Sequence, residues 1–102
     1  MPTSFRLLAD PTRRRILEEL CDAEHTVGSL VERVGMSQPA VSKQLRILRD
    51  GGLAEVRRDA QRRIYRLNER GMREFDEWLK PFRARWEERV NKMEDVLSSM
   101  ET

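Results

Sequence analysis

The sequence predicts a single, mainly α-helical domain with one small β-hairpin. Its 102 residues are enough for one hydrophobic core, since domains usually contain about 50 to 200 residues. Apolar residues recur at helical spacing along most of the chain, and this spacing changes to alternation only between residues 53 and 67. We therefore expect one domain over 1–102, in the order helix, helix, helix, helix, strand, strand, helix.

The first two helices are predicted on either side of Asp10. Residues 3–9 form a short apolar segment with too few polar residues to remain isolated, so it should pack on another element or another subunit. Asp10 is a good N-cap and Pro11 suits the first helical position, so a second helix should begin there. Its core residues would be Ile16, Leu17, Leu20 and Cys21.

A helix-turn-helix is predicted at about 26–50. Thr26 can cap a third helix with Val27, Leu30, Val31 and Val34 at the spacing of one helix face. Gly35 should end that helix, and Ser37 should cap the fourth, with Gly51 as its C-terminal stop. The interval between Gly35 and Ser37 allows only a tight turn, and such a turn can place the second helix of the pair in a DNA major groove.

The fourth helix has one apolar and one cationic face. At 100° per residue, Val41, Gln44, Leu45 and Leu48 share one side, and the opposite side carries Gln38, Pro39, Ser42, Lys43, Arg46 and Arg49. Arg and Lys can bind guanine and Gln can bind adenine, so this second face suits a major groove. An ordinary amphipathic surface helix also has a polar face, so the fourth helix alone leaves both interpretations open.

A basic β-hairpin, or wing, is predicted at about 53–67. Two alternating segments flank Asp59-Ala60-Gln61, and the hairpin end carries Arg57, Arg58, Arg62 and Arg63. These cations could contact the DNA backbone or simply protect exposed strand edges. The whole chain has a net charge of +2, but residues 37–67 contain eight basic and three acidic residues, which makes this segment the electropositive part.

A long last helix is predicted at about 69–99, capped by Asn68. Its apolar residues approach a heptad pattern: Phe75, Leu79, Phe82, Trp86, Val90, Met93, Leu97 and Met100. Thirty residues would extend about 45 Å, longer than a domain of this size can cover, so a second copy is the simplest partner. Pro81 should kink or divide the helix near residues 76–80. The many acids disfavour the alternative of a membrane-surface helix.

Other functional classes find little support in the residues. An enzyme is not indicated, because there is one His, one Cys and no glycine-rich phosphate loop. No cofactor or metal is expected, because Cys21 and His25 are the only soft ligands, and we expect a buried Cys21 and a solvated His25. No apolar run has the length of a membrane span or of a signal peptide, so we expect a cytoplasmic protein.

Five segments form one pattern of residues and order: residues 8–17, 27–30, 37–48, 52–53 and 63–67. Together they resemble the ArsR family of bacterial winged helix-turn-helix repressors, and the resemblance extends over essentially the whole chain. The last helix, with Trp78-Leu79, Pro81-Phe82 and residues 86–89, is similar to a branch not known chiefly for metal sensing. The third helix also lacks the cysteines, and the last helix the histidines, of metal-sensing members.

The resemblance implies a homodimeric repressor on an inverted-repeat operator, often at its own promoter. By position, the recognition-helix contacts would be Ser37, Gln38, Ser42, Lys43 and Arg46, and the wing contacts Arg57, Arg58, Arg62 and Arg63. The first and last helices would form the dimer, through Phe5, Leu8, Trp78, Leu79, Phe82, Trp86, Val90, Met93 and Leu97. The two recognition helices would enter successive major grooves about 34 Å apart. A winged helix that binds a protein is the alternative, but it would favour acidic or apolar residues on the outer face of the fourth helix.

Overall fold

The computed structural model describes residues 3–101, and the predicted order of elements is found in it. A 3₁₀-helix (Thr3–Ala9) is followed by α1 (Pro11–Asp22), α2 (Val27–Val34) and α3 (Gln38–Asp50). Strands β1 (Ala54–Asp59) and β2 (Arg62–Leu67) form an antiparallel hairpin, and α4 (Glu69–Glu101) completes the chain. The first predicted helix is therefore a 3₁₀-helix, and four α-helices follow it.

The four predicted N-caps satisfy backbone donors at the helix starts. Asp10 accepts a hydrogen bond from the Thr12 N–H at 2.7 Å. Equivalent bonds run from Ser29 to Thr26 (3.2 Å), from Ala40 to Ser37 (3.3 Å) and from Gly71 to Asn68 (3.1 Å). Gly35 ends α2 with a φ of 69°, a conformation that glycine adopts without strain. The caps at Thr26 and Ser37, together with Gly35, define where the two helices of the helix-turn-helix begin and end.

The core lies where α1, α2, α3 and the hairpin meet. Six side chains are completely or almost completely buried there: Ile16, Leu30, Val41, Leu45, Leu48 and Leu53. Three of them form the inner face of α3, as the sequence predicts. Burying one face of α3 directs its opposite face towards solvent.

The hairpin turn is shorter than the sequence predicts. Asp59 pairs with Arg62 in the ladder, so the turn has two residues, Ala60 and Gln61, and not the three expected. Ala60 has a φ of 58°, which a two-residue hairpin turn requires because its twist must match that of the strands. The α1–α2 loop adds to the other edge of β2, where His25 and Tyr65 exchange two backbone hydrogen bonds of 3.0 and 2.8 Å.

Helix α4 packs on the domain only along its first part. Phe75 is buried, and Phe5 of the 3₁₀-helix contacts both Phe75 and Trp78 with ring centroids about 5 Å apart. Beyond Trp78 helix α4 exposes six residues of the predicted heptad pattern and also Val96. The six are Leu79, Phe82, Trp86, Met93, Leu97 and Met100. Pro81 does not divide this helix, which is continuous from Glu69 to Glu101; the kink near residues 76–80 stays a prediction.

The expectation for the two soft metal ligands is wrong. Cys21 is exposed and His25 is buried. Cys21 lies outside the buried face of α1, which consists of Ile16, Leu17, Glu19 and Leu20. The buried carboxylate of Glu19 pairs with Arg15 at 3.0 Å and with Arg33 at 3.4 Å. His25 is covered because its backbone joins Tyr65, and its Nδ1 lies 2.8 Å from the Ser29 hydroxyl.

The start of α4 approaches the α3–β1 turn so closely that only glycine fits. A Cβ at Gly71 would lie 1.9 Å from the Gly52 carbonyl oxygen. We predict that Gly71→Ala destabilises the fold by about 1 to 3 kcal/mol, as overpacked sites do. Urea unfolding at a fixed protein concentration measures this change.

The control is Gly28→Ala, because Gly28 is also helical but its Cβ would meet nothing closer than 4.0 Å. That variant should be neutral or more stable by up to about 1 kcal/mol, since alanine favours helix. Equal effects of the two substitutions would contradict the close approach at Gly71.

Candidate nucleic-acid interface

The outer face of α3 lines an open groove of about 580 Å³. Its residues come from α3, the start of α2 and strand β2: Val27, Gln38, Pro39, Ser42, Lys43, Arg46, Arg49, Arg63 and Tyr65. Four of the five predicted recognition residues thus lie in one groove. The fifth, Ser37, is exposed at the helix start, and its hydroxyl caps the helix.

The charge of this groove is entirely positive. Lys43, Arg46, Arg49 and Arg63 line it, and no acid does. Within residues 3–101, none of these four cations makes an ion pair. A concave surface lined by one sign of charge concentrates the potential and attracts a polyanion. Arg49, which lies on the predicted polar face but is not among the predicted contacts, therefore belongs to the site.

The wing arginines divide between two faces of the hairpin. Side chains alternate along a strand, and the register pairs Arg57 with Ile64 and Arg58 with Arg63. We call the face with Arg57 and Arg62 the paired face, and the face with Arg58 and Arg63 the open face. Only the open face is continuous with the α3 groove, through Arg63.

Each cation of the paired face has an acidic partner. Arg57 donates to Glu24 Oε2 from Nη2 (2.8 Å) and Nε (3.1 Å), and Arg66 Nε donates to Glu55 at 2.7 Å. Arg66 also lies 3.6 Å from Glu24 Oε1, and Arg62 lies 3.5 Å from Asp59. The bond from Arg57 holds the pKa of Glu24 below its usual value, and Glu24 raises the pKa of Arg57. Three arginines are thereby matched by three carboxylates.

The open face has no such compensation. Arg58 and Arg63 stand directly opposite each other across the two strands, and neither makes an ion pair with any residue that the structure describes. Like charges in this position destabilise a hairpin. An anion bound between or beside them would remove this repulsion, which is the electrostatic property expected of a phosphate-binding wing.

The predicted dimer residues fall into two groups. Phe5, Leu8 and Trp78 are partly buried within the chain itself, and so is Val90. Leu79, Phe82, Trp86, Met93 and Leu97 are exposed on α4, with 65% of Trp86 accessible to solvent. An exposed apolar row of this length is unusual on a monomer and marks a surface for association.

The described part of the chain contains neither a cluster of metal ligands nor a membrane-spanning helix. Over residues 3–101, no group of three or more His, Cys, Asp or Glu side chains lies close enough together to hold a metal ion. None of the helices there has both the length and the apolar character needed to cross a bilayer.

A helix-turn-helix with a cationic second helix beside a basic hairpin defines a winged-helix DNA-binding domain. The sequence also matches the family model described as bacterial regulatory protein, arsR family, over residues 10–56. The transcriptional repressor SdpR of Bacillus subtilis is 32% identical over 82 residues, which are 80% of this chain and 91% of SdpR. The chain belongs to the ArsR family of bacterial transcriptional regulators.

Other relatives and a solved structure agree with this assignment. The biofilm growth-associated repressor of Xylella fastidiosa is 38% identical over 65 residues, 64% of this chain and 57% of that protein. Several curated relatives are thus matched over only about half of their length. The solution structure of the homodimeric winged helix-turn-helix domain of Mb0332 from Mycobacterium bovis has a TM-score of 0.66 and 27% identity, and the match covers 79% of this chain and 75% of that one.

Proposed function

We propose that this protein is a homodimeric transcriptional repressor that binds an inverted-repeat operator. The observation that supports this most directly is the acid-free groove formed by the outer face of α3 and Arg63. Relatives named as repressors support the regulatory role. Such a protein acts on bacterial DNA, so the cytoplasm is its proposed location, and repression follows if the bound dimer blocks RNA polymerase, including at its own promoter.

Base contacts are assigned to α3 and phosphate contacts to the wing. Arg46 and Lys43 can donate to guanine, Gln38 can form two bonds with adenine, and Ser42 is short enough to contact either a base or a phosphate. On the hairpin, we assign phosphate contacts to Arg58 and Arg63 because their face joins the groove. Arg57 and Arg62 are also predicted contacts from the sequence, but acids neutralise both side chains. We therefore propose that they contribute less to DNA affinity than Arg58 and Arg63 do.

The second protomer is proposed to pack on the exposed apolar face of α4. Helix α4 has 33 residues and is about 50 Å long, yet Phe75 is its only buried residue in the described part of the chain. Association would cover the exposed row from Leu79 to Met100. A two-fold dimer presents two α3 helices, which is why the operator should be an inverted repeat with half-sites one helical turn, about 34 Å, or a multiple of it apart.

The direct test of the function is footprinting on DNA that tiles the region upstream of the protein's own gene. The purified protein is added at near-physiological salt, with and without excess random DNA. Protection of an inverted repeat that survives the competitor is the expected result. Binding that the competitor abolishes, on this DNA and on genomic fragments, would contradict sequence-specific repression and favour a winged helix that binds a protein.

Arg46 tests the base contacts. We predict that Arg46→Ala lowers discrimination between operator and random DNA by about 1 to 3 kcal/mol, because a base contact contributes to operator binding alone. Titrations with both DNAs measure the ratio. Arg70→Ala is the matched control, since Arg70 is exposed at the start of α4 and outside the groove. Equal losses of Arg46→Ala on the two DNAs would mean that Arg46 only holds phosphate.

Arg62 and Arg63 test the two faces of the wing, because they are adjacent in sequence and lie on opposite faces. Each phosphate contact contributes about 0.9 to the slope of log affinity against log salt concentration. Arg63→Gln should therefore reduce the slope by about two for a dimer, and Arg62→Gln should leave it nearly unchanged. A larger reduction for Arg62→Gln would show that the paired face contacts DNA.

A further inference from the structure

We propose that Glu24 is a positioning residue for DNA binding, which holds the wing against the α1–α2 loop and so orients Arg58 and Arg63. The inference rests on the proposed function. Glu24 contacts neither the α3 groove nor the open face. It acts through Arg57 and Arg66, the two arginines of the wing that it binds.

The carboxylate of Glu24 joins both strands of the hairpin to the body of the domain. One oxygen accepts two hydrogen bonds from Arg57 on β1, and the other oxygen lies 3.6 Å from Arg66 on β2. Arg66 is bound in turn to Glu55 on the neighbouring strand. Both strands are therefore connected to one side chain of the loop.

A second attachment lies one residue along the loop. His25 exchanges two backbone hydrogen bonds with Tyr65, so the loop forms a short third strand beside β2. Burial of Ala54, Ile64 and Tyr65 holds the base of the hairpin in the core, so the part that can pivot is its exposed outer end, from Arg58 to Arg63. Side-chain bonds from Glu24 on the paired face restrict that motion. They therefore also set the direction in which the open face, with Arg58 and Arg63, points.

The same network explains the distribution of charge on the wing. An acid near DNA repels phosphate, so a favourable effect of Glu24 on DNA binding has to come from the way it holds the hairpin. Positioning and simple charge therefore make opposite predictions for the loss of Glu24. If Glu24 acted by charge alone, its neutralisation would strengthen DNA binding.

The first variant is Glu24→Gln, assayed on the operator over a series of salt concentrations. We expect operator affinity to fall by roughly two- to fivefold per protomer, because exposed ion pairs are weak. The slope of log affinity against log salt should also fall, by about 0.9 for each phosphate contact that the displaced wing loses. A variant that merely folds less completely would lose affinity with an unchanged slope.

The matched control is Glu32→Gln. Glu32 is exposed on α2 of the same helix-turn-helix and makes no ion pair within the described range. Removing its charge should leave operator affinity unchanged or slightly higher. If Glu24→Gln behaves like this control, the proposal is wrong.

A double-mutant cycle with Arg57→Gln separates positioning from direct contact. If Arg57 acts through Glu24, the loss of operator affinity in the double variant should be clearly smaller than the sum of the two single losses, and Arg66 accounts for what remains. Additive losses would mean that the two residues act independently, which would contradict positioning of the wing through the Glu24–Arg57 pair.

Hydrogen exchange in the absence of DNA keeps this test separate from the proposed function. Glu24→Gln should accelerate amide exchange in the hairpin, residues 54–67, without changing the exchange of α1. Unchanged exchange in the hairpin would refute the positioning role. If the wild-type protein does not prefer its operator, the proposed function fails, and the exchange experiment still decides whether Glu24 restrains the wing.

Discussion

Burial of one face of α3 is the interaction on which the rest of the structure depends. Val41, Leu45 and Leu48 are almost completely inaccessible to solvent. Burying three such side chains contributes about 5 to 9 kcal/mol before entropy is considered, comparable with the total stability of a small domain. A rotation of α3 that hid Arg46 would expose these residues and bury a charge. The cationic face is therefore directed outwards by the packing of its opposite side.

In the hairpin, too, the secondary structure determines which side chains face the groove, and here it separates paired from unpaired charges. Alternation along the strands places Arg57, Arg62 and Arg66 on one face, and their acidic partners neutralise it. Arg58 and Arg63, on the other face, are uncompensated in the described part of the molecule and extend the groove of α3. A nearly neutral chain can thus present a local cationic surface, because position determines the potential more than net charge does.

Local sequence was enough to predict the caps and the faces of the helices. Asp10, Thr26, Ser37 and Asn68 act on backbone groups within three residues, so their role follows from residue type and position. Contacts between distant segments were not predictable in the same way. Glu24 and Arg57 are 33 residues apart, and no periodicity connects them. The four wing arginines were consequently predicted as one group.

The errors at Cys21 and His25 have a related origin. On a helical projection, the buried arc of α1 extends from Glu19 to Leu17, and Cys21 lies just outside it. Cys21 was predicted to be buried because free cysteine is buried in most proteins. Glu19 can lie at the opposite edge of that arc because Arg33 of α2 and Arg15 compensate its charge. His25 is covered because of the bridge to Tyr65, a pairing 40 residues away that the sequence does not indicate.

We assign DNA binding to one continuous surface, which consists of the outer face of α3 and the open face of the wing. Amide chemical shifts of the isotope-labelled protein, measured during titration with an operator duplex, test this assignment most directly. We predict the largest changes in chemical shift at residues 38–49, 58 and 63, and small changes along residues 86–101 of α4. Changes concentrated on α4 or on the paired face, with α3 unaffected, would contradict this assignment.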